Sequence, residues 1–151
     1  MNLEDAIKSS NFKTQKQKCG LNILYTAWWL KTVISKVLKD HGLTHEQFNV
    51  LRILNGKHPA KMCVRDIASR MIEKSSNVPR IVDRLEAKKL VQRSSSEVDK
   101  RETVMTLTEQ GLFILDAATN DVNKVFGKLI DMNEEEAGKL NELLEKYRKN
   151  Q

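Results

Sequence analysis

The segment from Ser75 to Gln110 constrains the fold of this 151-residue chain more than any other. Apolar residues first recur at steps of three and four, which places them on one face of a helix. Two runs of β-prone residues follow, and the polar loop between them predicts a β-hairpin with a long tip. The apolar helix positions are Val78, Ile81, Val82 and Leu85, and the β-prone runs are Leu90–Arg93 and Thr103–Leu107.

The opposite face of this predicted helix carries side chains that suit DNA. Arginine pairs with O6 and N7 of guanine, asparagine pairs with N6 and N7 of adenine, and a serine at a helix N-terminus binds phosphate together with free backbone amides. An ordinary amphipathic surface helix is the alternative, but the hairpin that follows favours a winged helix-turn-helix. The candidate recognition residues are Ser75, Ser76, Asn77, Pro79, Arg80 and Arg84.

The tip of the predicted hairpin contains Asp99, Lys100 and Arg101 in succession. Two cations on an exposed loop suit a narrow minor groove, because its negative potential attracts arginine. Arg101 is therefore the candidate minor-groove residue, with Asp99 and Lys100 beside it in the wing. The alternative is a surface salt bridge from Arg101 to Asp99 or Glu102, which contributes about 0–1 kcal/mol and indicates no partner.

The distribution of charge agrees with a DNA-binding middle segment. The chain has a net charge of +6 and a pI of about 9.3. Residues 57–107 contain 12 basic and 7 acidic side chains, whereas residues 108–151 contain 6 basic and 9 acidic ones. Each cation that neutralises a DNA phosphate releases a counterion and so favours binding. A solvated surface is the alternative for such a charge run, so the charge only supports the motifs.

Helical signals precede this segment. Apolar periodicity predicts a long helix over residues 21–39, and Gly42 stops it. Thr44 and Gln47 have the spacing of a capping box and predict a second helix over about residues 44–55. A short third helix, ending before Ser75, is marked by Ile67, Ala68 and Met71.

Two further helices are predicted after the hairpin. A long apolar stripe follows the wing, and Asn133 with the three glutamates behind it fits the start of a last helix. With Phe12 and the first long helix, these helices are expected to bury a core shared by two chains. Packing within one chain is the alternative. The stripe comprises Leu112, Leu115, Ala118, Val122, Val125, Phe126, Leu129 and Ile130, and the last helix continues it with Leu140, Leu143, Leu144 and Tyr147.

These motifs resemble the MarR family, the multiple-antibiotic-resistance regulators, which are winged-helix transcription factors. The resemblance covers about residues 20 to 148, and its motifs occur in the family's order and spacing. The stretches that carry it are Leu43–Leu51, Ile81–Glu86, Leu90–Arg93, Asp99–Arg101 and Leu107–Gly111.

The resemblance implies a mainly α fold with a small β-hairpin wing. A winged helix-turn-helix region, residues 43–107, is expected between two parts of a helical dimerisation region, residues 1–42 and 108–151. The implied function is that of a bacterial transcriptional regulator, with repression as the expected role. A homodimer would place its recognition helices in successive major grooves of double-stranded DNA and its wings in the flanking minor grooves. The operator would then be pseudo-palindromic.

Three positions depart from the family pattern. Lys89 stands where the family commonly has glycine after the recognition helix, so a left-handed backbone there would cost about 1–2 kcal/mol. Pro79 replaces a frequent hydroxyl residue and fits only the first turn, which places the helix start near Ser75 or Ser76. Val64 occupies the usual polar cap of the third helix.

The resemblance also implies that a small molecule, a metal or an oxidant alters the spacing of the recognition helices. Tyr25, Trp28 and Trp29 form the candidate effector pocket, because the corresponding helix of relatives faces the junction of the two lobes. Packing in the core is the alternative for these aromatic residues, and it is the commoner role.

The two cysteines, Cys19 and Cys63, show no metal-type spacing and are expected to be free thiols. Cys19 lies where the hydroperoxide-sensing branch of the family keeps its reactive cysteine, so a redox-sensing regulator is an alternative function. Tyr25 lies farther from Cys19 than the matching tyrosine of that branch, and a neutral, buried Cys19 is favoured.

Other functional classes find little support in the sequence. It contains no nucleophile elbow, zinc-protease, Walker or dinucleotide motif, so neither an enzyme nor a cofactor is expected. His41 and His45 are separated by Gly42 and the Thr44 cap, so no metal site is expected. No apolar run has transmembrane length and the acidic start differs from a signal peptide, so the cytoplasm is the expected location. The alternative from another class is a winged-helix module that binds a protein.

Overall fold

A computed structural model of the chain describes residues 1–74 and 77–149. Its seven helices and three short strands within those residues confirm the predicted mainly α class with a small sheet. All helices of the described part are too short or too polar to cross a bilayer. In chain order the elements are α1 (Leu3–Ile7), α2 (Gln15–Asp40), α3 (His45–Asn55), β1 (Met62–Cys63), α4 (Val64–Arg70), α5 (Val78–Ala87), β2 (Val91–Ser95), β3 (Thr103–Leu107), α6 (Glu109–Leu129) and α7 (Glu134–Tyr147).

Helix α2 begins six residues before the predicted start at residue 21. Thr14 caps it, since its side-chain oxygen accepts a hydrogen bond from the N–H of Gln17 at 3.1 Å. The first turn is polar and has no apolar period, so periodicity alone places the start too late. The predicted end is confirmed: Gly42 has φ +65°, and its N–H donates to the carbonyl of Lys39 at 3.0 Å.

Helix α3 starts with the predicted capping box. The side chain of Thr44 accepts from the N–H of Gln47 at 3.1 Å, and the side chain of Gln47 accepts from the N–H of Thr44 at 3.2 Å. The short third helix is also confirmed as α4, although Met71 lies just past its end and packs in the core. Cys63 occupies the N-cap position of α4, directly before Val64.

The three strands form one antiparallel sheet in the order β1-β3-β2. The predicted hairpin is confirmed, with Val91 opposite Leu107 and Ser95 opposite Thr103. Strand β1 was not predicted, because it has only two residues and depends on a partner more than forty residues away, where Met62 pairs with Met105.

A single cluster of buried apolar residues joins α3, α4, α5, the sheet and α6. Helix α6 enters it through Leu115, Ala118 and Val122. Helix α7 buries none of its residues, and its Leu143 and Tyr147 are 53% and 56% exposed. The winged-helix region and α6 therefore share a well-packed core, while α7 presents apolar side chains to solvent.

Candidate nucleic-acid interface

Helix α5 presents the two faces that its sequence predicts. Its four apolar residues, Val78 to Leu85, are all buried against α3, α4 and β2. Pro79, Arg80 and Arg84 are exposed on the other side, together with Asp83. The core therefore fixes the orientation of the helix, and the polar face points outward.

The start of α5 corrects the prediction. The helix begins at Val78 with Asn77 at the N-cap, whereas a start near Ser75 or Ser76 was expected. A proline fits any position in the first turn, because none of the N–H groups there has an intrahelical acceptor, and Pro79 therefore permits this later start. The candidate DNA contacts Ser75 and Ser76 lie outside the described residues.

Helix α5 ends as the departure from the family pattern anticipates. Lys89 has φ +59°, in the left-handed region. Its N–H donates to the carbonyl of Glu86 at 2.8 Å, and the N–H of Leu90 donates to that of Leu85 at 3.0 Å. This is the hydrogen-bond pattern of a helix end that favours glycine. Lys89 adopts this left-handed conformation although it has a Cβ, which glycine lacks.

Arg93 on β2 binds two carboxylates of the recognition helix. Its guanidinium pairs with Asp83, and its Nε lies 3.2 Å from Oε2 of Glu86. This contact attaches α5 to the first strand of the wing and neutralises both acidic groups near its outer face. Arg93 was identified only as part of a family motif. Two carboxylates three residues apart on a helix, followed by a basic residue on the next strand, are the signal that indicates its role.

The loop between β2 and β3 is organised by short side chains. Oδ1 of Asp99 accepts from the N–H of Arg101 at 2.9 Å, and Oγ of Ser96 lies 3.3 Å from the N–H groups of Val98 and Asp99. Asp99 therefore shapes the turn through the backbone, which is a common role of aspartate in loops.

The carboxylates beside the wing tip are paired with cations outside it. Lys61 lies 3.5 Å from Glu97, and Arg65 lies 3.8 Å from Glu102. Arg101 forms neither of the salt bridges considered as alternatives: Glu102 pairs with Arg65, and Asp99 binds backbone. Among residues 1–74 and 77–149, the side chains of Lys100 and Arg101 take part in no ion pair.

The start of α6 fastens the hairpin to the end of α5. Thr108 donates from its hydroxyl to the carbonyl of Lys89 at 2.7 Å and from its N–H to that of Leu90 at 3.1 Å. The same hydroxyl accepts from the N–H of Gly111 at 3.0 Å and caps α6. A Cβ on Gly111 would lie 2.0 Å from the carbonyl oxygen of Leu90, so only glycine permits this approach.

The three candidate pocket aromatics do not line one cavity in the single chain. Trp28 is 60% exposed and borders a groove of about 400 Å³ with Lys31 and Lys36, whereas Tyr25 and Trp29 border another of about 380 Å³ beside Leu3. None of the three belongs to the buried cluster: Trp28 is exposed, and Tyr25 and Trp29 are half-buried.

Both cysteines are free, but Cys19 is exposed, which corrects the expectation of a buried thiol. It borders an apolar groove of about 490 Å³ between α2 and α7, whose lining includes Ile23, Leu143 and Tyr147. Residues of α2 and α7 line this groove, and α7 leaves it open to solvent. Cys63 is buried on β1.

The histidines serve separate elements. Nε2 of His41, at the end of α2, lies 3.1 Å from Oδ2 of Asp121 on α6, while His45 begins α3. Hydrogen bonds from Lys124 and then from His41 hold the pKa of Asp121 below its usual value. His41 therefore links α2 to α6. No cluster of three or more metal-ligating side chains occurs in the described part of the chain.

Comparison with known proteins places this geometry among bacterial regulators. A family model described as the MarR family matches residues 43–103. The chain is 30% identical to the HTH-type transcriptional regulator MgrA of Staphylococcus aureus over 145 aligned residues. The alignment covers 96% of this chain and 89% of MgrA.

Two solved structures illustrate the likeness of fold. AbsC, a MarR family transcriptional regulator from Streptomyces coelicolor, is 25% identical with a TM-score of 0.77, over 93% of this chain and 97% of that one. BpsR of Bordetella bronchiseptica, whose DNA binding is regulated by 6-hydroxynicotinic acid, has a TM-score of 0.77 at 20% identity, over 90% and 96%.

Proposed function

Because the chain belongs to the MarR family of transcriptional regulators, we propose that it is a repressor that binds double-stranded DNA sequence-specifically as a homodimer. One observation carries this proposal: the carboxylates of Asp83, Glu86, Glu97 and Glu102 are paired with cations, while Arg80, Arg84 and Arg101 form no ion pair within residues 1–74 and 77–149. Such a surface is positive where a duplex would lie, and phosphates favour it.

In the major groove, α5 would use the exposed face opposite its buried residues. Arg93 forms ion pairs with Asp83 and Glu86. Arg80 and Arg84 make no ion pair within residues 1–74 and 77–149. An arginine in this position reads guanine through two hydrogen bonds. Asn77 and Pro79, at the start of the helix, belong to the same proposed contact surface, as do Ser75 and Ser76.

In the minor groove, the wing would insert the loop that Asp99 shapes. Lys100 and Arg101 project from an exposed turn. Arginine is attracted by the negative potential of a narrow minor groove, and its contacts there depend on groove width more than on base identity. The two elements would therefore contribute differently, with α5 setting sequence preference and the wing setting affinity.

The homodimer is supported by apolar surface outside the winged-helix region. Leu24 on α2 is 68% exposed, Phe113 on α6 is 75% exposed, and Leu143 and Tyr147 on α7 are more than half exposed. Monomeric proteins rarely leave so many large apolar side chains in solvent, and a second copy would cover them. Residues 1–42 and 108–151 would form this dimerisation region. Monomers that persist at micromolar concentration in sedimentation would contradict it.

A small-molecule effector is proposed to lower DNA affinity by binding along α2, in the cytoplasm. The grooves beside Trp28 and beside Tyr25 and Trp29 are the sites for it, since each joins an aromatic surface to polar groups. A ligand at either groove would change the orientation of the DNA-binding regions only by favouring one of their arrangements. Calorimetric titration of a candidate small molecule into the natural chain and into Trp28→Ala tests the first groove, because the variant should bind that molecule more weakly.

A second candidate, redox sensing through Cys19, is favoured by the exposure of that thiol. A peroxide would oxidise the Cys19 thiolate to a sulfenic acid, with the peroxide O–O bond broken and the second oxygen leaving as water or alcohol. Loss of peroxide-dependent DNA release in Cys19→Ser would support this role. Release that persists in the variant would remove it.

The proposed function is tested by selecting bound duplexes from a random pool. The natural chain should enrich a pseudo-palindrome. Arg80→Ala should change the preferred bases, and Arg101→Ala should weaken binding to all sequences without altering the fold. Lys128→Ala on α6 is the control, since it removes one exposed charge far along the chain from either element. Absence of enrichment with the natural chain would contradict the proposal and favour a winged-helix module that binds a protein.

A further inference from the structure

One ion pair joins the long helix α2 to the segment that leads into the recognition helix. Nζ of Lys31 lies 2.7 Å and 2.9 Å from the two carboxylate oxygens of Glu73, which is 42 residues away in sequence. Glu73 lies between α4 and α5, five residues before Val78. A contact between such distant elements restricts the segment that precedes α5.

The rest of this segment is also held by polar contacts. The N–H of Ile72 donates to Oδ1 of Asn49 on α3 at 3.0 Å, and Nζ of Lys74 donates to the carbonyl of Ser69 on α4 at 2.5 Å. The side chain of Ile72 is 78% exposed, so apolar packing contributes little here. The path of the chain from Ile72 to Lys74, after the buried Met71, therefore depends on hydrogen bonds and on the Lys31–Glu73 ion pair.

The charges of this pair matter to a surface that would approach DNA. An unpaired carboxylate so close to the start of α5 would repel phosphates, and Lys31 neutralises it. The hydrogen bond from Lys31 to Glu73 raises the pKa of Lys31, with Glu46 adding to the effect, so the amine stays charged. The side chains remain partly exposed, at 41% and 55%, and the pair is therefore of modest strength.

We propose that Lys31 is a positioning residue for the recognition helix. Through Glu73 it holds the segment that enters α5, and it does so from a helix outside the winged-helix region. A change in the position of α2 would then be passed to α5 by this ion pair. The inference rests on the DNA-binding function proposed above and adds to it a residue that does not touch DNA.

The test measures affinity for the selected operator at several salt concentrations. Lys31→Met and Glu73→Gln should each weaken binding by up to about five-fold, the most that an exposed ion pair usually contributes. The charge exchange, Lys31→Glu with Glu73→Lys, should restore affinity to within about two-fold. Lys31→Met should change the salt slope by well under one, because it breaks no contact with phosphate and only leaves the Glu73 carboxylate without its partner. Lys16→Met is the matched control and should bind like the natural chain, because Lys16 is an exposed lysine of the same helix.

Three results would overturn the inference. A salt slope reduced by about one in Lys31→Met, with no rescue by the charge exchange, would make Lys31 a direct phosphate contact. Tighter binding by Glu73→Gln would make Glu73 a repulsive charge only. Equal affinity of all variants and the natural chain would mean that the pair positions nothing. If the natural chain itself selects no operator, the proposed function fails and this inference fails with it.

Discussion

Replacing Lys89 with glycine is expected to stabilise the protein, although it removes a side chain and a charge. Lys89 ends α5 with φ +59°. In that region the Cβ of an L-residue approaches its own backbone, and the conformation costs roughly 1–2 kcal/mol. Glycine has no Cβ and avoids this cost.

Two smaller effects oppose the gain. Glycine loses more conformational freedom on folding, by about 0.5–1 kcal/mol. Removing a cation from the C-terminal end of a helix forfeits about 0.3 kcal/mol at an exposed position. With a strain of about 1.5 kcal/mol, Lys89→Gly should be roughly 0.8 kcal/mol more stable than Lys89→Ala, which shares the loss of charge. It should be roughly 0.5 kcal/mol more stable than the natural chain.

Urea and thermal unfolding of the three proteins at one protein concentration provide the assay, because association makes Tm depend on concentration. For a chain of this size, the difference between the glycine and alanine variants corresponds to about 2–3 °C in Tm. Lys128→Gly is the control, since Lys128 is exposed in the last turn of α6. It should lose about 1 kcal/mol, because glycine there replaces an ordinary helical residue.

Equal stability of Lys89→Gly and Lys89→Ala, or a less stable glycine variant, would refute the reasoning. The left-handed conformation would then carry no strain that glycine relieves. A stabilising Lys128→Gly would instead show that glycine acts through a general effect unrelated to φ.

Three further predictions concern single contacts. Gly111→Ala should destabilise the protein by more than about 2 kcal/mol, because its Cβ would meet the carbonyl of Leu90, while Gly138→Ala, with open space around it, should stabilise by about 0.5–1 kcal/mol in the same unfolding assay. Asp99→Ala should weaken DNA binding by up to about five-fold although it removes a negative charge. Asp99→Asn should keep the affinity, because its amide oxygen can still accept from the N–H of Arg101. Fluorescence anisotropy measures both affinities, and tighter binding by Asp99→Ala would contradict the role of the turn. Thr44→Ala should cost about 1 kcal/mol through loss of the α3 cap, whereas Thr44→Ser should be nearly neutral, and a chemical denaturation midpoint unchanged by the alanine would disprove that contribution.

The elements that the sequence predicts well have strong local causes. Thr44 with Gln47, and Asn133 with Glu136, form capping boxes whose partners lie three residues apart. The apolar period of α5 and the β-prone runs of the hairpin also act within a few residues. Such local contacts can be predicted from the sequence, because the interacting groups are neighbours in the chain.

The features that escaped prediction depend on distant partners. Strand β1 exists because Met62 pairs with Met105, and the ion pair of Lys31 with Glu73 joins residues that are 42 positions apart. The exposure of Cys19 depends on how loosely α7 covers α2, which no local pattern records. Helix starts fall between these cases, as Asn77 shows: several polar residues precede Val78, and each is a suitable cap.

The contacts of Thr108 have a mechanical consequence for the molecule. They bond the backbone at Lys89 and Leu90 to the first turn of α6. Because Gly111 has no side chain, α6 lies so close to the carbonyl of Leu90 that the two cannot slide past each other. Helix α6, about 30 Å long, and the end of α5 therefore move as one rigid body. A displacement of about 3 Å at the Leu129 end of such a rod is a rotation of about 6°, applied directly to the helix that would lie in the major groove. A displacement at the far end of α6 would thus rotate the recognition helix relative to DNA without changing the shape of either helix.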